Sequence, residues 1–172
     1  MHATGLLLLL STAAAAPIDT SSYVVLNHGR PAGEMLVAAS DDSIVVQYHH
    51  VDRNRGPRSE AHYLLRQGRV VGGRTWDIPL NSTDPVLGEP SDRFDVRGDS
   101  IFWQGGDGDS LHRAGYLPAS FYRLFSFTPY NQAVLARFLL SQPEHFARLL
   151  PRGTARLTVV GETSVRTSQG RQ

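Results

Sequence analysis

Apolar and polar residues alternate with a period of two through much of the first hundred positions, the pattern of strands with one buried face. Tyr23 to Leu26 is a β-branched and aromatic run. His28 to Gly33 is turn-like, and Glu34 to Ala39 follows, so the pair reads as a hairpin. Asp41-Asp42 turns the chain into Ser43 to Val51. Ile44, Val46, Tyr48 and His50 share one face of that run; Val45, Gln47, His49 and Val51 share the other. Glu60 to Arg66 is a fourth strand. Arg69 to Ile78 is a fifth, with Gly72-Gly73 as a bend or bulge. After a loop from Pro79 to Pro90, Arg93 to Val96 and Ser100 to Trp103 form another hairpin around Gly98-Asp99.

The period changes near Asn131. Val134, Leu135, Phe138 and Leu139 fall at helical spacing, with Asn131 able to cap the start. That face should pack with Trp103 against one sheet. Pro143, Glu144, Phe146, Leu149 and Leu150 suggest a short second helix opened by Pro143. Pro151-Arg152-Gly153 is a turn, and alternation returns from Ala155 to Val165. The expected fold is α+β and mostly β: a curved antiparallel sheet or sandwich of about eight strands, with one or two short helices near the C-terminus. One domain spans 20–166, and 167–172 reads as a polar tail or cut linker.

Composition narrows the function. Apolar residues make up 41% and charged residues 19% of the 172, which is globular. The net charge of +1 offers no electrostatic case for nucleic acid or an acidic membrane surface. All seventeen basic residues are Arg, as in proteins from GC-rich bacterial genomes, so no Lys chemistry exists. With no Cys there are no disulfides, thiolate sites or lipoprotein acylation. Residues 1–16 read as a secretory signal peptide: Leu6 to Leu10 are apolar and Ala13 to Ala16 are small. Cleavage between Ala15 and Ala16 keeps Pro17 out of the first mature position. The n-region holds only His2, which leaves room for an upstream start. The apolar stretch is too short for a stable membrane anchor, so the expected location is periplasmic or secreted.

Several residue groups carry candidate chemistry. His49 and His50, with His28 and His62, read either as zinc ligands or as surface histidines. Adjacent residues on a strand point to opposite faces, so His49-His50 cannot chelate as a His-x-His pair does, and no metal or other cofactor is expected in this chain. Arg53, Arg55 and Arg58 flank a turn able to bind an anion, or to pair with carboxylates such as Asp52 and Glu60. Gly105 to Asp109 lacks the spaced ligands of a calcium loop. Ser110, His112 and Asp109 lack a nucleophile elbow. Asn81-Ser82-Thr83 fits a glycosylation pattern, by chance in a bacterial protein. Phe121, Phe125, Phe127 and Tyr130 read as core packing, or as a docking or ligand face.

Several segments together resemble the N-terminal domain of secreted bacterial proteins of the amidohydrolase superfamily. They are Tyr23 to Leu26 with Gly33-Glu34-Met35, the Asp52-Arg53-Asn54-Arg55-Gly56-Pro57 turn, and Pro85-Val86 followed by Arg93-Phe94 and Ile101-Phe102-Trp103. Leu135 to Leu140 and Leu149 to Arg156 complete the set. Asn54 stands where the family more often has Gly, and Asp77 to Asp92 departs most. The resemblance covers roughly residues 20–165. It implies a non-catalytic accessory domain ahead of a metal-dependent barrel that hydrolyses C–N bonds, with that barrel, in the same polypeptide, as its partner. The alternative is a stand-alone periplasmic module with an apolar ligand cavity, similar to lipoprotein-carrier half-barrels.

Overall fold

Strands with one apolar face must bury it together, and a chain of tight turns does so by pairing neighbours in order. The computed structural model describes residues 18–51, 56–79, 88–105, 110–124, 128–162, 164, 166–167 and 170–171. Eight strands form one antiparallel sheet in sequence order: β1 (Asp19–Asn27), β2 (Arg30–Ala39), β3 (Ser43–His50), β4 (Arg58–Arg66), β5 (Arg69–Ile78), β6 (Asp92–Arg97), β7 (Ser100–Gly105) and β8 (His112–Gly115). The expected mostly-β fold is the observed one, and β8 is an addition to the strands read from the pattern.

Register carries two rows of side chains across the core face. One runs Val37, Val46, Ala61, Thr75, Asp92, Gly105; the next runs Ile44, Tyr63, Gly73, Phe94, Trp103, His112. The bulge expected near Gly72-Gly73 lies beside them. Leu64 pairs Gly72 while Leu65 pairs Val70, leaving Val71 as the extra residue. Gly73 lets its neighbours pack closely, because a Cβ there would sit 2.7 Å from a Phe94 ring carbon and 2.8 Å from a Leu124 methyl, and both side chains would have to shift.

The C-terminal third covers this face. It contains β9 (Ser120–Tyr122), the helix α1 (Tyr130–Leu140), β10 (Phe146–Leu150) and β11 (Thr154–Arg156). β10 pairs parallel with β9 and antiparallel with β11. Three buried polar groups of the core face hold this segment down. Ser59 Oγ lies 2.9 Å from Thr128 Oγ1, the Tyr63 hydroxyl donates to Asn131 Oδ1, and the Tyr122 hydroxyl donates to Asp92 Oδ1 at 3.0 Å. Buried polar side chains need partners; here the partners sit 30 to 69 residues away, so the bonds fix tertiary placement.

Four expectations are corrected. There is one helix among the described residues, and Phe146–Leu150 is a strand. Its buried members are Ala147 and Leu150, and His145, at φ 49°, breaks the chain just before it. Asn131 does not cap α1. Pro129 stands at the N-cap with no side-chain cap bond, and the Asn131 amide donates to Leu124 O at 3.3 Å. The alternation from Ala155 to Val165 yields strand only to Arg156; Val159 and Val160 are exposed. Of the helix face, Val134 and Leu139 are buried, whereas Leu135, Phe138 and Trp103 are partly buried against the core. In the polar tail, β12 (Arg166–Thr167) pairs with β13 (Gly170–Arg171).

Candidate functional site

The outer face of the sheet brings together residues that the sequence spreads over forty-five positions. Glu34, His49, Arg58 and Ile78 form one row; Leu36, Gln47, Glu60 and Trp76 form the next; Ala38, Val45, His62 and Arg74 form a third. The first two rows enclose a pocket of about 230 Å³. Its best-held group is Glu60, a buried carboxylate. Gln47 Nε2 donates to Glu60 Oε2 at 3.2 Å, and His62 Nε2 donates to Glu60 Oε1 at 2.5 Å. His62 stands edge-on to Trp76 at 4.8 Å, and the Trp76 indole N–H donates to Gly88 O at 2.9 Å.

An imidazole oriented by a carboxylate is one part of an acid–base site, but it needs a nucleophile or a bound water beside it. Ser59 lies on the opposite face and is bonded to Thr128. The candidate histidines are not brought together. His49 lines the outer pocket, and His50 points the other way, its backbone N–H held by Pro57 O at 3.0 Å. His62 is two rows from His49, about 13 Å along the strands at the usual rise per residue. His28 sits in the β1–β2 turn. Among the described residues no three His, Asp or Glu side chains are grouped as metal ligands.

Of the proposed anion turn, Arg58 lines the outer pocket, while Arg53 and Arg55 lie outside the described residues. Glu60, which the sequence offered as a partner for these arginines, bonds to Gln47 and His62. Gly56 closes the turn at φ 155°, where a Cβ would sit 1.9 Å from His50 O. Residues 106–109 of the glycine-aspartate loop and Asn81-Ser82-Thr83 also lie outside the described residues. His112 stacks on Trp103 at 5.3 Å.

Of the readings offered for the aromatic stretch, the two rings described take core packing. Phe121 is 4% exposed and Tyr130 is 5% exposed. Phe121 packs on Phe138 at 5.3 Å, and Tyr130 begins the helix. Both belong to the core, because small and polar residues on the sheet beneath leave volume for rings to fill. Phe125 and Phe127 lie outside the described residues.

The sequence reading missed two surfaces. One is a cleft of about 580 Å³ between α1 and the β4–β5 turn. The other is the first hairpin. Strand β1 is an edge of the sheet, and Val24 and Leu26 are 65% and 61% exposed, with Tyr23 and Leu36 exposed beside them. A free edge nine residues long, charged only at Asp19, is a pairing template that proteins usually cover. The sequence carried the signal, since Tyr23 to Leu26 has no polar residue on either face.

Compared with family models, with curated proteins and with solved structures, the chain matches none. No helix among the described residues is long and apolar enough to cross a membrane.

Proposed function

We propose that the chain is a non-catalytic accessory domain of an exported, metal-dependent amidohydrolase-like protein. It docks on the catalytic barrel of the same polypeptide through the open edge of its sheet. The resemblance of its segments to such N-terminal domains supports the class. The observation that carries docking is the first hairpin, where Tyr23, Val24 and Leu26 stand exposed along the edge strand β1 and Leu36 is exposed beside them on β2. Docking between domains of one chain typically buries about 600–1,500 Å² and tolerates a mixed surface. The outer pocket beside this hairpin, with Glu34, His49 and Arg58, supplies polar groups for such a rim.

The isolated chain should therefore self-associate weakly, edge to edge. Sedimentation at rising concentration should show growth of the weight-average mass, and Val24→Glu with Leu26→Glu should abolish it. A chain that stays monomeric throughout would count against an open docking edge.

A second reading, a module that binds a small apolar ligand, is favoured by the cleft under α1.

A further inference from the structure

The cleft between α1 and the β4–β5 turn has a composition that specifies its ligand. The sheet contributes Ile44, Leu65 and Val70, and the helix contributes Val134 and Phe138. These five make an apolar trough with one wall from each layer. Its volume, about 580 Å³, falls in the range of small-molecule sites. Among the described residues, the charged side chains lining it are Arg69 and Arg137, both cationic, with no carboxylate.

Both guanidiniums are held in place before any ligand arrives. Arg69 lies over the Tyr116 ring at 4.9 Å, and its Nη2 donates to Leu117 O at 2.9 Å. Its Nε is buried with no hydrogen-bond partner among the described residues. A buried donor left unmade costs free energy, and such a group in a native fold calls for an acceptor. Arg137 donates to the Tyr130 hydroxyl at 3.1 Å and sits over that ring at 5.7 Å. An Arg fork offers paired donors in the geometry of a carboxylate or phosphate, and fixing it beforehand lowers the entropy lost on binding.

We propose that this cleft binds an anionic amphiphile, with a single aliphatic tail in the trough and a carboxylate or phosphate head on Arg69 and Arg137. This rests on the second reading of function and is independent of docking through β1. The tail alone would gain from burial but find no anchor. The head alone would meet two solvated cations, whose attraction water and salt screen. Binding should thus require both ends of the ligand.

The test is calorimetric titration of the chain in the Val24→Glu, Leu26→Glu background, which separates ligand binding from self-association. The probes are decanoate and decyl phosphate below their micelle concentrations, butanoate as a head without a tail, and octyl glucoside as a tail with a neutral head. Either decyl anion should saturate a single site, and which of them does so identifies the head. Butanoate and octyl glucoside should bind at least about tenfold more weakly. Arg137→Gln should weaken the decyl anion by about tenfold, the usual cost of losing one charged hydrogen bond. Gln67→Glu, which adds a negative charge to the lining, should weaken it in the same direction. Both positions are exposed, so the unliganded melting temperature should hold, which keeps a lost affinity distinct from a lost fold. Three results would each overturn the proposal: no saturable binding of either decyl anion, unchanged affinity in both variants, or butanoate binding as tightly as decanoate.

Discussion

Replacing Phe94 by alanine is expected to cost about 3–5 kcal/mol of folding stability, the range for a fully buried aromatic ring. Phe94 is 2% exposed and stands in the core-face row between Gly73 and Trp103. Its ring packs against Tyr122 at 4.7 Å and lies over Gly73, where an added Cβ would press on it at 2.7 Å. Truncation would leave a cavity that the sheet cannot close, because its floor is backbone held in register on both sides. Small domains have about 5–15 kcal/mol in all, so this one change removes a large share. Urea unfolding followed by Trp fluorescence measures it. A midpoint within error of the parent would mean that the C-terminal segment is not packed on the sheet as described.

Tyr122→Phe should cost about 1–3 kcal/mol, since it removes a buried donor to the Asp92 carboxyl while leaving the ring in place. It should also change the response to alkali. Burial, and next the nearby Asp92, push the Tyr122 hydroxyl well above its ordinary 10.0. Burial raises Tyr63 likewise, with Tyr130 adding to the shift. A group whose folded value lies above its unfolded value contributes stability in full below the unfolded value. That contribution is lost as pH rises beyond it, because the unfolded chain then binds fewer protons than the folded one. The urea midpoint should therefore fall as pH rises beyond about 10, the unfolded tyrosine value. The fall should be shallower in Tyr122→Phe and should persist in part through Tyr63. Parallel curves for parent and variant would contradict the burial of that hydroxyl.

The strands were legible where alternation or a turn signal frames them, down to the six-residue hairpin partners β6 and β7. Ser43 to His50 alternates cleanly, and its two faces are those read from the sequence. Elements of three to five residues were not. Ser120–Tyr122 is buried at all three positions and has no period to read. Phe146–Leu150 satisfies helical spacing at Phe146, Leu149 and Leu150, and its pairing with β9 on one side and β11 on the other decides for strand. For the aromatics from Phe121 to Tyr130, core packing and a docking or ligand face both stayed open because the sequence cannot show what lies opposite. The rows Ala61, Thr75, Asp92 and Tyr63, Gly73, Phe94 become neighbours only through register, and they leave the space that Phe121, Tyr122 and Tyr130 fill. For the same reason the Glu34, His49 and Arg58 row, and the cleft that joins Arg69 to Arg137, could not be read from local pattern. The Glu60–His62 pair was the exception: two residues apart on one strand, they necessarily share a face.

Docking through the first hairpin is tested most directly by hydrogen exchange at β1, comparing the 172-residue chain with the product of the complete reading frame. The amides between Asp19 and Asn27 that point away from β2 have no sheet partner among the described residues and should exchange rapidly in the 172-residue chain. In the complete product, with a barrel docked on the edge, the same amides should slow by at least about tenfold, while those bonded to β2 change little. Equal exchange of the outward-facing β1 amides in the two proteins would contradict the account.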